Sequence, residues 1–366
     1  MQIALTKKLA TAMKVDVPER DESVDPLFTW TANWTSVWDN CSAEDMLVLV
    51  NHATRFVVAI YQVKQKDLKN VETMMTEAIR NTLYAMHFNK EMVDEYMRLA
   101  GEVAFVKNSD RKAAAHVSTA GRYCAFDIGN KYNGIDKMFA DTVGATTSRM
   151  IVSDPSSRKG GFYPYEKMAE ALAELTGKKI YQYKALELLV SLDLSIYQAT
   201  RKLIVPAHLT FSQLHELLQK VFDWKNYHVY DFTIYEKDEE EHTARLVPYE
   251  EDLSYDETAT LIEKQQLSEY ITEKNEVIYT YDMGDNWQHR IELIREIDNY
   301  NQASPFLLEA KGQAPPEDVG GVPAFLEFRD IMLKEDHPEH ESMKKWALFW
   351  SLELSAYQEQ ARVVHV

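Results

Sequence analysis

The residues best equipped for chemistry lie in one run, Tyr281-Asp282-Met283-Gly284-Asp285-Asn286-Trp287-Gln288-His289. Gly284-Asp285, set between two β-rich stretches, reads as a two-residue hairpin turn. Such a turn pairs Met283 with Asn286, Asp282 with Trp287 and Thr280 with His289. Opposed residues share a face, so Asp282 and His289 become diagonal neighbours roughly 7 Å apart. A carboxylate and an imidazole at that range can share a proton, a hydrogen bond or a divalent ion. The plainer alternative is that Asp282 caps the turn and His289 packs against Trp287.

A second acidic pair sits in Pro315-Pro316-Glu317-Asp318-Val319-Gly320-Gly321. The prolines stiffen the approach, and the glycines permit a positive φ or a close backbone approach. Glu317 and Asp318, held between them, suit either a divalent cation or the capping of backbone amides. Asp282, Asp285, His289, Glu317 and Asp318 together make a hard-to-borderline metal set with no thiol competing. A carboxylate left off the metal would serve as general base for a bound water. Trp287, His215 and His228 are further groove candidates, the two histidines alternatively packing or hydrogen-bonding residues. No motif demands a cofactor; a divalent cation is the one this set would take.

Familiar enzyme signatures are missing. The sequence has no Walker loop, no G-x-G-x-x-G, no G-x-S-x-G, no H-E-x-x-H and no zinc-ribbon spacing. His337-Pro338-Glu339-His340 carries a proline in its spacer, which makes it a poor chelate. Asp154 to Gly161 sets Arg158 and Lys159 beside a glycine pair, yet it lacks the phosphate-loop frame and reads as a plain connection.

These residues need elements to hold them. Ile3 and Leu5 read as a strand and Lys7 to Lys14 as a short helix. Trp30, Trp34 and Trp38, at spacing four, would form one stripe of a helix. Met46–Val50 and Phe56–Val63 flank the loop Asn51-His52-Ala53-Thr54-Arg55 as a hairpin. Helices follow over 67–88, 89–100, 107–128 and 165–175, with Gly101 and Gly177 as stops. The second half changes character: strands over 180–189, 201–205, 227–235, 276–283 and 287–294, and helices over 210–221, 325–333 and 341–354. Without regular βαβ alternation, this is an α+β chain, its C-terminal part a mixed or antiparallel sheet with packed helices.

A chain of 366 residues suits two domains of roughly 100–200 residues each. The expected boundary separates 1–177 from 178–366, because the charge changes there. Of the net charge of −18, residues 1–177 carry 21 basic and 23 acidic residues, and 178–366 carry 19 and 35. The acidic half repels phosphate backbones, so non-specific nucleic-acid binding there is not expected; a basic protein surface or small ligand is. Two cysteines, no signal-peptide pattern and no apolar run near 20 residues point to a cytoplasmic protein off the membrane.

The run YDMGDNWQH resembles the Y-D-F-G-D-x-W-x-H signature of the plasmid pRiA4b ORF-3-like family. Pro315 to Gly321 is similar to its P-P-E-D-x-G-G block. Leu214-His215 through Phe222-Asp223-Trp224, His228 and Phe232 resembles its helix–strand unit. The match covers roughly 178–350. It departs at Asp223, where the family has Gly, at Thr200-Arg201-Lys202 in place of W-R-R, at Lys311-Gly312 where a cysteine is usual, and at Pro323-Ala324-Phe325. The resemblance implies an α+β fold and a bacterial mobile-element or defence setting, without an activity. The first half resembles an uncharacterised bacterial domain through Thr6-Lys7-Lys8-Leu9, Trp30-Thr31-Ala32 and Asn51 to Arg55. Two functions follow as expectations: a binding or regulatory module with an acidic C-terminal groove between the 280–289 hairpin and the Pro315 to Gly321 loop, or a divalent-metal-dependent hydrolase or nuclease-like enzyme using the Asp282/His289 hairpin and the Glu317/Asp318 loop.

Overall fold

The structure, a computed structural model, describes residues 1–37, 44–131, 141–154, 160–347, 358–359 and 361–365. Trp38, Cys41, Arg158, Lys159 and the end of the last expected helix lie outside the described residues. The chain divides into two compact units, Met1–Gln182 and Tyr183–Val366.

In the N-terminal unit β1 (Gln2–Leu5) leads into α1 (Lys7–Met13), and β2 (Thr29–Thr35), β3 (Met46–Asn51) and β4 (Val57–Tyr61) follow. Next come α2 (Val71–Ala85), α3 (Lys90–Ala100), β5 (Ala104–Lys107), α4 (Arg111–Lys131) and α5 (Asp141–Ser148). A small ladder of β6 (Val152–Ser153) and β7 (Gly161–Phe162) precedes α6 (Pro164–Thr176). The main sheet has the order β4-β3-β2-β1-β5, with β1 parallel to both β2 and β5. Trp30 and Trp34 sit on β2, not on a helix. Spacing four keeps two residues on one face at either period, 3.6 or 2, and both rings are buried. Asn89 caps α3 by accepting from the Glu91 amide, and Gly177 ends α6 in the left-handed region.

The C-terminal unit is built on β8 (Tyr183–Leu194), β9 (Tyr197–Pro206), α7 (Phe211–Phe222), β10 (Tyr230–Glu236), β11 (His242–Val247) and β12 (Ala259–Leu261). It continues with α8 (Leu267–Tyr270), β13 (Asn275–Tyr281), β14 (Trp287–Tyr300), β15 (Phe306–Lys311), α9 (Gly321–Met332), α10 (His340–Ala347), β16 (Gln358–Glu359) and β17 (Arg362–Val363). The strands run β12-β11-β10-β13-β14-β8-β9-β15-β16, with β17 also on β15. Every pair is antiparallel except β11 with β12. Thr210 and Gln213 form a capping box that starts α7. The buried face of that helix, Phe211, Leu214, Leu217, Leu218 and Val221, joins one core with alternate residues of β8, β10, β13 and β14.

Candidate functional site

The hairpin that carries the signature is wider than its Gly-Asp pair suggests. Tyr281 pairs with Trp287, Thr280 with Gln288 and Tyr279 with His289. The loop is therefore five residues, Asp282 to Asn286, and both end residues take positive φ of 56°. An odd loop shifts the pairing by one relative to the expected turn, which exchanges the partners on each face. His289 now shares its face with Tyr279, Tyr281 and Trp287 instead of Thr280 and Asp282. It is fully buried, with Phe222 and Trp224 edge-on at 4.7 and 5.1 Å. Its Nδ1 lies 3.2 and 3.1 Å from the carbonyl oxygens of Tyr279 and Trp287. Carbonyls only accept, so Nδ1 carries the proton and Nε2 is a buried acceptor without a partner. Burial drives its pKa down to about 3. His289 is thus a neutral core residue, and the expected metal set loses its imidazole.

Another histidine takes that place. Tyr230 pairs with Tyr281, so the chain just before β10 runs beside the hairpin loop, and the Asp282 amide donates to the Val229 carbonyl at 3.0 Å. His228 therefore faces Asp282. Its Nε2 lies 3.5 Å from Asp282 Oδ2 and 2.8 Å from Asp318 Oδ1. Ligand atoms of these three residues all fall within 4.8 Å of one another. Asp282 is 8 % exposed, His228 half-buried and Asp318 exposed. The other Asp282 oxygen is spent on the turn, accepting from the amides of Gly284 at 2.9 Å and Asp285 at 3.3 Å.

The remaining acids dock the Pro-Pro-Glu-Asp loop. Asp285 Oδ2 accepts from the Gly320 amide at 2.9 Å. Glu317 accepts from the Tyr281 hydroxyl and from the Lys225 amide, and Trp224 Nε1 donates to the Pro315 carbonyl at 3.1 Å. A Cβ on Gly321, at φ 75°, would sit 2.9 Å from the Asp285 carbonyl oxygen. Hairpin and loop therefore touch at Asp285, Gly320 and Gly321. A cavity of about 500 Å³ is lined by Phe222, Lys225, Tyr227, Pro315, Glu317 and Asp318 among others. Asp318 joins it to the three-residue cluster.

His215 is a strut. Its Nε2 donates to Asn226 Oδ1 and its Nδ1 accepts from the Tyr279 hydroxyl, both at 2.8 Å, while its ring stacks on Tyr230. Burial lowers its pKa to about 4. Two residues escaped the sequence reading. Tyr281, quoted only as part of a motif, ties Glu317 to the Tyr227 amide. Arg201, buried, donates to the carbonyls of Thr200, Val221, Lys311 and Gly312. Its only sequence signal was its place in Thr200-Arg201-Lys202, quoted there as part of a motif.

Residues 184–356 match the family model described as plasmid pRiA4b ORF-3-like protein, and residues 2–167 match one described as a domain of unknown function, DUF6933. The uncharacterised protein y4hQ of Sinorhizobium fredii is 33 % identical over 149 residues, which is 40 % of this chain and 72 % of that protein. A solved protein of unknown function from Methanosarcina mazei Go1 is 27 % identical, with a TM-score of 0.40 over 48 % of this chain and 98 % of its own.

Proposed function

Because this chain belongs through its C-terminal unit to the plasmid pRiA4b ORF-3-like family, which brings no activity with it, we propose a function from the side chains themselves. The C-terminal unit is a cation-dependent binding module in which His228, Asp282 and Asp318 hold a divalent ion at the edge of the 500 Å³ cavity. The observation that carries this reading is the meeting of three ligand atoms from three separate segments. Two carboxylates and an imidazole match the preferences of Mn²⁺ or Zn²⁺ better than those of Ca²⁺. The acid excess of residues 178–366 supports a cationic partner or ion and speaks against a nucleic-acid backbone. The plasmid in the family's description supports a bacterial mobile-element or defence setting. Among the described residues no helix is long and apolar enough to cross a membrane, and a cytoplasmic location is part of this proposal.

A hydrolytic reading draws support from the ligand count, since three protein ligands leave positions open for water, as catalytic zinc sites do. Thermal melts with and without Mn²⁺, Zn²⁺ and Mg²⁺ test the proposal. An ion at a hundredfold excess over its dissociation constant stabilises the native state by about 2.7 kcal/mol. The expected result is a shift lost in D282N and H228A and retained in H289F. A shift lost only in H289F, or no shift with any ion, rejects the site. Turnover of a chromogenic phosphoester by the metal-loaded chain, absent in D318N, would select the hydrolase.

A further inference from the structure

The hairpin loop of the N-terminal unit, Asn51 to Arg55, is braced far beyond what a surface turn needs. Asn51 Oδ1 accepts from the amides of Ala53 and Thr54, both at 3.1 Å, and from the Thr54 hydroxyl at 3.0 Å. Its amide group donates to the Leu27 carbonyl at 2.8 Å. Arg55 is thereby held at φ 63°, a region that a long side chain rarely adopts. Strain of this kind persists where surrounding structure overrides it, and often where a side chain must be aimed.

Arg55 lines a pocket of about 110 Å³ whose walls include Thr31, His52, Asp110, Lys112 and His116. His52 is already committed: its Nδ1 accepts from Arg20 at 3.0 Å, so its Nε2 donates to the Thr31 hydroxyl at 2.7 Å. Arg20 is paired with Glu22. Asp110 is spent on the start of α4, accepting from the Lys112 amide at 2.7 Å. The Arg55 guanidinium is different: among the described residues it makes no hydrogen bond or ion pair. Asp110 and Asp154 act on it only through space, while burial lowers its pKa. Lys112 and His116 likewise make no side-chain bond among the described residues. Three donor-bearing side chains, Arg55, Lys112 and His116, thus line this one pocket.

We infer that the N-terminal unit binds a single tetrahedral oxyanion, a phosphate either free or at the end of a monoester, in this pocket, with Arg55 as its anchor. The planar guanidinium fork suits two phosphate oxygens at once, and Lys112 supplies a point charge beside it.

Thermal melts of the full chain at matched ionic strength test this, with inorganic phosphate, glycerol phosphate or acetate in place of chloride. Phosphate is expected to raise the melting temperature saturably and acetate is not. R55N keeps a residue that tolerates positive φ, so it should melt no lower than the parent without phosphate, yet bind phosphate at least tenfold more weakly. R55K, which keeps the charge and loses the fork, should show the same weakening. Tighter binding of glycerol phosphate than of phosphate assigns a monoester, and the reverse assigns the free ion. No saturable phosphate shift, an equal shift with acetate, or an unchanged response in R55N would overturn the inference.

Discussion

His289 shows how much a single ring can decide. Read from spacing it is either a ligand or a packed residue; in the fold it is a neutral imidazole among Phe222, Trp224 and Tyr279, with its pKa near 3. An unfolded histidine titrates near 6.5. Below that pH the unfolded chain binds the proton that the native core refuses, so stability falls as pH drops from about 6.5 towards 3 and is level above. His215, held near 4, and His52 in the other unit, also near 4, act in the same direction. Each such group contributes a slope of at most about 1.4 kcal/mol per pH unit. Urea melts between pH 7 and 5 should show this loss, and H289F should flatten it by about one proton's share. A slope unchanged in H289F would mean that this ring is solvated. The sequence left its burial open, because the parity of a hairpin loop, five residues against two, decides which partners share its face.

At the scale of elements, the loop and hairpin meet at a glycine pair: the Gly320 amide donates to the Asp285 carboxylate, and Gly321 packs against the Asp285 backbone. The sequence made a positive φ or a close approach legible at this glycine pair, and both occur; what it left open was the group approached, which is the Asp285 carbonyl. A side chain at 321 meets both an unfavourable φ and that oxygen. G321A is expected to cost about 2 kcal/mol or more and to weaken the metal response with it. G177A supplies the comparison: its φ of 67° is similar but nothing lies within 4 Å of the added carbon, so about 1 kcal/mol should be lost. Denaturant melts of the pair separate crowding from conformation. Other elements were readable for equally local reasons. Thr210 and Asn89 cap their helices as their types dictate, whereas the tryptophans of β2 satisfy helical and extended periods alike.

For the whole molecule, each unit has its own main sheet and its own buried residues, one cluster in the C-terminal unit and two in the N-terminal unit among the described residues. We propose that each folds alone, with the boundary near the change of charge at residues 177 and 178. A fragment covering 183–366 should melt cooperatively and keep the ion-induced shift, and limited proteolysis should enter first at 154–164 or 237–243. Stable fragments cut near residue 100 would contradict this division. The two families matched along the chain fall one on each unit, 2–167 and 184–356, so the change of character seen in the sequence corresponds to two separate family matches.

Asp282 answers to two masters within one carboxylate. One oxygen closes the turn on the amides of Gly284 and Asp285, and the other faces His228. Its backbone, at positive φ, adds a third demand. Asparagine satisfies the turn and the backbone but lacks the charge. Glutamate keeps the charge but is a methylene too long for the turn, and alanine fails on every count. The position is therefore a narrow sieve for drift: a lineage that abandoned the ion while keeping the fold should carry Asn there, and a lineage that kept both has almost nowhere else to go.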